Sequence, residues 1–500
     1  MSGSTSVVTY GNFVRPARQG VLGLPMGVAL LCIPLVVGVV LMLVQTWYLA
    51  AVGTAVLGVV AAGLAVVGTR QGRSIYSRRL LLGAHRRKTA RGDNLYVAGP
   101  AGKVPDGSFT LPGLMAPSAL SQHADAFGTP FGLLHLRGAR HYTVVLEAYP
   151  DGDALVDQAR IDSQVAHWGA WLGQLALDED VVGASVTVET APDSGVRLTR
   201  MVQANLVEDA SAFARTVIED VVRELGTGSP IITTRIAVTF SGRSHDGRGR
   251  DRGVATMAEE IGNRLPVLLA SLWETGAGTS VRACTAQDIV DFTRTAYDPT
   301  VATQVEQARA EDGTGLTWAE AGPTFADDQV EQYFHDRAVS RSWQMYEVRE
   351  GQFHSNALTR LLEPNGGVLR KRVTLLYRPV PAGQAADAIE AELNNAIFTG
   401  SQKQQVSARQ RARLAYAHKA GEEEAQGAGL VRFGVIVTVT CAAQADFPRL
   451  ERLVPSLGNQ ARLRLRPALG NQAVAFQAAL PLGLVLPEHS MLPAQLRDYL

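Results

Sequence analysis

The pattern of apolar and polar positions falls into two regimes. Residues 21–44 and 49–68 are almost wholly apolar, and no Asp, Glu, Lys or Arg lies between Gln19 and Thr69. Each stretch is about twenty residues, which at about 1.5 Å per residue spans roughly the 30 Å hydrocarbon core of a bilayer. QTWY (45–48) separates them, and Trp and Tyr favour the lipid–water interface. The pattern predicts a two-helix transmembrane hairpin over residues 20–69, preceded by residues 1–19. A cleavable signal peptide carries one apolar region of about 7–15 residues, and two full-length stretches do not match it.

Beyond residue 93 the period changes. Short alternating segments predict strands at 131–136, 141–150, 181–190, 233–242, 341–348, 370–380 and 430–442, with a short one at 461–468. Helical spacing predicts helices at 153–177, 211–225, through IGNRLPVLLASLW, at 355–362, from 382 to 426 and at 447–457. Trp168, Trp171, Leu172 and Leu175 fall at i, i+3, i+4 and i+7, a core-facing stripe. GRSHDGRGRDRG (242–253) has no apolar spacing and predicts a solvated loop. The phrases TTRIAVTFSG and RKRVTLLYRP look alike, each a strand followed by a turn and a helix. The predicted fold class is α+β: the hairpin, then two ferredoxin-like-type units at 93–279 and 336–500, with a helix-and-loop insertion at 280–335.

Charge changes this picture in one place. The chain has 47 basic and 47 acidic residues, a balance that argues against a dedicated nucleic-acid binder. Yet Arg70, Arg73, Arg78, Arg79, Arg86, Arg87, Lys88 and Arg91 crowd into residues 70–92 with no acid among them. With Arg15 and Arg18 before the first apolar stretch and no cation in the turn, the positive-inside rule puts both ends of the hairpin, and all that follows, on the cytoplasmic face of the plasma membrane. The basic run then lies against anionic lipid headgroups. DNA is the rival partner for it, but only Tyr76 interleaves as a stacking aromatic. Ala55, Gly58, Ala62 and Ala65 form a small-residue stripe on the second span, suited to close helix packing within the hairpin or against another subunit.

Candidate chemistry is sparse. Cys32, Cys284 and Cys441 are isolated, with no CxxC or Cys/His spacing for zinc. No GxxxxGK[ST], HExxH or GxSxG phrase occurs. His167, His335, His354 and His418 stand alone, and EEE (422–424) reads as a solvated helix face offsetting Arg409, Arg411, Arg413 and Lys419. No catalytic, cofactor-binding or metal-ligating set assembles, so a membrane-anchored enzyme is the weaker class.

YGNFVRP (10–16), RHYTVVLEA (140–148), VAHWGAWL (165–172), ASVTVETAPDSG (184–195), WAEAGP (318–323) and RKRVTLLYRP together resemble a family of actinobacterial two-pass membrane proteins found with conjugation-type, type IV secretion-like genes. More distantly, the order of hairpin, α+β region and closing AFQAALPLG (475–483) is similar to a small inner-membrane secretion subunit fused to the non-motor N-terminal part of the type IV traffic ATPase. The Walker motifs of that ATPase have no counterpart here, so nucleotide binding does not carry over. The resemblance implies a non-enzymatic scaffold that docks a separate P-loop traffic ATPase, other membrane secretion subunits and further copies of itself. A two-pass core component of a type VII secretion-like system is the rival machine.

Overall fold

The alternating segments pair into one large antiparallel sheet. The computed structural model describes residues 26–490 except 67–71, 74, 101, 103–109, 151–155, 208, 226–229, 245, 247–248, 279, 349–352, 367, 402–407, 426, 428 and 443–446. The chain begins with helices α1 (Met26–Val44), α2 (Tyr48–Val66) and α3 (Ile75–Arg91) and strand β1 (Leu95–Val97). Then come β2 (Ser118–Ala124), β3 (Pro130–Leu136), β4 (His141–Ala148), α4 (Gln158–Leu177), β5 (Val181–Pro192), α5 (Val196–Ala204), α6 (Ala212–Leu225), β6 (Pro230–Ser241), α7 (Val254–Ala270), β7 (Arg282–Ala283), α8 (Ala286–Tyr297) and α9 (Ala302–Arg309). The second half holds β8 (Phe325–Asp328), β9 (Tyr333–His335), β10 (Ala338–Val348), α10 (Thr359–Leu362), β11 (Arg370–Pro379), α11 (Ala382–Ser401), α12 (Ala408–Ala425), β12 (Val431–Ala442), α13 (Phe447–Gln460), β13 (Leu463–Pro467) and α14 (Gln472–Ala478).

The sheet has 13 strands in the order β1-β8-β9-β10-β12-β11-β5-β6-β4-β3-β2, with β13 beside β10 and β7 beside β4. That order states one arrangement twice. β2, β3, β4, α4, β5, α5–α6, β6, α7, β7, α8 follow the same sequence as β8, β9, β10, α10, β11, α11–α12, β12, α13, β13, α14. In each, the third strand lies between the fifth-formed neighbour on one side and two short strands on the other: β4 meets β6, β3 and β7, and β10 meets β12, β9 and β13. The repeats join edge to edge through β5 and β11, with Thr187 opposite Thr374 at the middle of the ladder.

The two faces differ in chemistry because strand side chains alternate. One face is apolar. Val144, Leu146, Val186, Ile236 and Val238 pack with Trp171, Leu175, Ile261 and Leu265 of α4 and α7. Val373, Val435, Val437 and Val439 pack with Leu450, Val454 and Leu457 of α13. The stripe expected on α4 therefore buries Trp171 and Leu175, with Trp168 and Leu172 packed at its edge. Burying each such side chain contributes about 1.5–3 kcal/mol.

The other face is lined by hydroxyls. Thr143 bonds Thr239 (3.0 Å) in the first repeat, and Ser340 bonds Thr440 (2.7 Å) at the matching position of the second. Thr187 bonds Thr374 (3.1 Å) between them, and Ser342 bonds Thr438 (2.8 Å). α8, α14 and residues 479–484 cover this face with Phe292, Tyr297, Phe476, Leu480, Leu482 and Leu484. The covering segment, a series of turns, supplies acceptors: Ala479 O accepts from Thr374 (2.8 Å) and Gly483 O from Thr239 (3.1 Å).

Three expectations need correction. The helical stretch at 382–426 is two helices, α11 and α12. Residues 280–335 hold α8 and α9 but also supply β7, β8 and β9 to the sheet, because those strands are too short to show a period. The loop at 242–253 is anchored as well as solvated: Arg252 is half-buried and paired with Asp180 (2.9 Å) and Glu260 (2.7 Å), and Tyr142 donates to Asp251 (2.9 Å). Residues 1–19 and Arg70 lie outside the described residues.

For the apolar region, α1 and α2 form a helical hairpin of 19 residues each, closed by a tight turn in which Trp47 N donates to Met42 O (2.9 Å) and Ala51 N to Trp47 O (3.0 Å). Side chains are described only from residue 34 of α1. Over the described residues no helix is long and apolar enough to cross a membrane. Of the expected spans at 21–44 and 49–68, residues 26–44 and 49–66 are helical, and the described helices do not support the expectation that they cross a membrane.

Candidate functional site

The small-residue stripe explains how α1 and α2 approach. Ala51 is 1 % exposed and Gly58 is buried. A Cβ on Gly58 would lie 2.5 Å from Leu35 Cδ2, so a larger residue there would have to displace the Leu35 side chain. Ala55 is half-buried, while the side chains of Ala62 and Ala65 lie outside the described set. The stripe thus faces inward at Gly58, and Ala51 extends it, a residue the spacing argument passed over. The outer faces carry Val37, Val40, Leu41, Val44, Leu49, Val56, Leu57 and Val59, all exposed.

The basic run is a helix with two unlike faces. α3 docks on the sheet through His85, which is buried, and through Lys88, whose Nζ donates to Asp328 Oδ2 at 2.5 Å. Asp328 is itself buried and also accepts from Ala473 N at the start of α14 (2.9 Å), so one carboxylate ties α3 to the covering layer. Arg73 is half-buried just before the helix and donates to Pro467 O (3.0 Å). Arg78, Arg79, Arg86, Arg87 and Arg91 are exposed and form no ion pair among the described residues. Of the eight predicted cations, five therefore face outward, two are structural contacts and Arg70 lies outside the described residues.

Deeper in the molecule, His335 and Ser340 have the make-up of a base and nucleophile. His335 Nε2 lies 2.7 Å from Ser340 Oγ, and Nδ1 faces Tyr297 O. Both residues are 0 % exposed, and Tyr297, Tyr333 and Phe476 enclose the ring. Burial pushes His335 down to about 3, so the neutral imidazole serves as a hydrogen-bond bridge between β9, β10 and α8. No substrate reaches it, and the pair is a structural element.

The charged residues at the sheet centre are also internally matched. Glu147 meets Arg235 (3.1 Å) and Arg282 (2.5 Å). Glu189 meets Arg370 and Arg372, the second at 3.4 Å and fully buried over the Phe476 ring. Both carboxyls are held below the usual range by these guanidiniums against the opposing effect of burial. Among the described residues no group of three or more His, Cys, Asp or Glu could hold a metal ion.

Two shallow clefts occupy matching places in the repeats. One of about 370 Å³ lies between α4 and α7, lined by Trp171, Leu175, Arg264 and Val267. The other, of about 400 Å³, lies between α10 and α13, lined by Asn356, Arg360, Glu363 and Gln460. Neither gathers a set of reactive groups. A different surface stands out by its apolarity: α6 exposes Phe213, Val217, Ile218 and Val221 on one face, beside Met201 of α5. Compared with known proteins, the chain matches no family model and no curated protein.

Proposed function

We propose that this chain is a non-enzymatic, two-pass scaffold subunit of a type IV secretion-like transfer machine in the plasma membrane, with its sheet domain in the cytoplasm docking a separate P-loop ATPase. One observation carries the anchoring part: a charge-free helical hairpin with outward-facing Val and Leu continues into a helix whose open face holds five arginines. Outward arginines at the end of such a hairpin suit a cytoplasmic, anionic lipid surface.

The docking part is supported by the apolar face of α5–α6, which a scaffold would bury against a partner. It is also supported by the resemblance of the sequence to two-pass proteins of conjugation-type loci. Each repeat fits a ferredoxin-like-type α+β unit, since β5-β6-β4-β7 and β11-β12-β10-β13 share that fold's 2-3-1-4 strand order. Enclosure of the His335–Ser340 pair fits a subunit without chemistry of its own.

Carbonate extraction of membranes tests the anchor, and crosslinking mass spectrometry on the same membranes tests the partner. The chain is expected to stay in the carbonate-resistant pellet and to crosslink from residues 93–500 to a P-loop ATPase. Release into the carbonate supernatant would sink the anchor. Crosslinks confined to copies of itself, or to type VII components, would remove the assignment to this machine.

A further inference from the structure

The two repeats treat the outer edge of their first strand differently. Leu120 of β2 lies opposite Leu134, and Leu134 opposite Thr143. In the second repeat Asp328 of β8 lies opposite Tyr333, and Tyr333 opposite Ser340. Thr143 and Ser340 hold matching places, so Leu120 is the counterpart of Asp328. The outer side of β8 is closed. Asp328 N donates to Asn94 O (2.9 Å) and Ala98 N to Thr324 O (2.9 Å). Between them β1 pairs with β8, from Leu95 with Asp327 to Val97 with Phe325. β1 is blunted in turn: Leu95 N donates to Gly92 O (3.3 Å), and Gly102 packs on Val97 O too closely for any Cβ.

β2 ends the sheet without such a cover. Asp125 N donates to Thr129 O (2.9 Å) across the β2–β3 turn. By alternation Ala119, Ser121 and His123 turn their backbone groups to β3, while Ser118, Leu120, Gln122 and Ala124 turn theirs outward. Two of these four are screened: Trp318 Nε1 donates to Ser118 Oγ (3.0 Å), and Ala124 O lies against Gly262 of α7. The outward N–H and C=O of Leu120 and Gln122 have no backbone partner among the described residues. Gln122 is exposed and Leu120 half-buried. Sheet edges are commonly guarded by a charge, a proline or a bulge. SALSQHA (118–124) has no Lys, Arg, Asp, Glu or Pro, and its register is unbroken.

We propose that β2 pairs with β2 of a second copy, antiparallel about a two-fold axis at Ser121. The chain already joins like to like: its two repeats meet through the matching strands β5 and β11, with threonine opposite threonine at the middle. The register also permits self-pairing. With Ser121 on the axis, Leu120 lies opposite the partner's Gln122, and Gln122 opposite the partner's Leu120. Both pairs join outward residues, so each exchanges two backbone hydrogen bonds. No like charges meet across this ladder, because the strand carries none. The same register carries Phe127, 82 % exposed in the β2–β3 turn, toward the partner's Pro117, which is exposed as well. A two-fold contact uses one patch twice and closes. With β1 closing the opposite end of the sheet, the assembly stops at two. This pairing draws on neither the membrane anchor nor the ATPase.

The test is a disulfide placed on the axis. Ser121 would form a non-hydrogen-bonded pair with itself, about 4.5 Å between Cα atoms, within disulfide range. The full chain with Ser121→Cys is expected to give a linked homodimer under mild oxidation. The unsubstituted chain is the control for its own cysteines, of which Cys284 and Cys441 are buried. Ala119→Cys should give none, since the two copies of that position are offset by about 13 Å along the ladder. Leu120→Pro removes an outward donor and spares the bonds to β3. It should abolish the link in the Ser121→Cys chain and raise the dimer dissociation constant, read by sedimentation, about tenfold or more. Ser121→Asp sets two carboxylates face to face on the axis and should give a monomer without a proline. Equal linkage from Ala119→Cys and Ser121→Cys, or full dimerisation of Ser121→Asp, would overturn the pairing whatever carbonate extraction shows. A purified chain that stays monomeric, while Ser121→Cys links to another protein in cells, would assign the edge to that protein and overturn the second copy.

Discussion

Thr187 and Thr374 face each other across the junction of the two repeats, Oγ1 to Oγ1 at 3.1 Å, and both point at the carbonyl of Ala479. Thr374 donates to it at 2.8 Å, whereas Thr187 lies at 3.5 Å. The shorter bond is the stronger one. Thr374→Val should therefore lower stability by about 1–3 kcal/mol, because it leaves a buried carbonyl short of a donor. Thr187→Val should cost less. Thermal midpoints of the two variants check the order, and a larger loss at Thr187 would contradict this geometry.

Gly483 sets the path of the covering segment. It sits at φ 69°, and a Cβ there would lie 2.2 Å from Thr143 Oγ1 and 2.3 Å from Thr239 Oγ1. Gly483→Ala adds backbone strain to a clash in a fully enclosed place, so a loss above about 2 kcal/mol is expected. Adding Thr143→Ala should recover part of it. A midpoint unchanged by Gly483→Ala would mean that the segment does not lie on this face.

The Lys88–Asp328 pair couples α3 to the sheet. Asp328 keeps the Ala473 N–H after Lys88 is removed, so Lys88→Met should cost only about 1–3 kcal/mol rather than the full penalty of a stranded charge. A double-mutant cycle with Asp328→Asn should show coupling of about 1 kcal/mol or more. The same variant should increase proteolysis within α3, read by mass spectrometry. Additive midpoints would show that α3 is not held by this pair.

Acid should weaken the fold through two histidines. Burial pushes His335 down to about 3, and burial followed by His489 and Arg243 pushes His141 down to about 4. Between about pH 6.5 and 4 the unfolded chain binds a proton at each site and the folded chain does not, so stability falls as pH falls. The two together contribute a slope of up to about 2.7 kcal/mol per pH unit. His335→Gln should start from a lower midpoint at neutral pH and then lose about half of that slope. An equally steep fall in the variant would place the acid sensitivity elsewhere.

Much of the sheet was legible because its long strands alternate cleanly and their turns carry Gly, Asp or Pro. The hairpin of β3 and β4 and the strands β5, β6, β10, β11 and β12 fall where alternation places them. β7 and β9 were not legible: two or three residues cannot display a period, and their pairing comes from β4 and β10. The charged residues misled in a different way. Lys88 and Arg73 look like their exposed neighbours in sequence, and only the distant partners Asp328 and Pro467 distinguish them. The contrast of Asp328 with Leu120 was equally hidden, since it needs the register of both repeats before the two positions can be compared.

The ladder between β5 and β11 also disposes of a hazard. Seven residue pairs hold it, from Lys371 with Thr190 to Tyr377 with Ala184. Either repeat alone would present that strand as a bare edge, rich in Val and Thr, open to pairing with any extended chain. Within one polypeptide each edge caps the other. A break between the repeats would therefore release two sticky templates at once, and half-length fragments of this protein should aggregate where the intact chain does not.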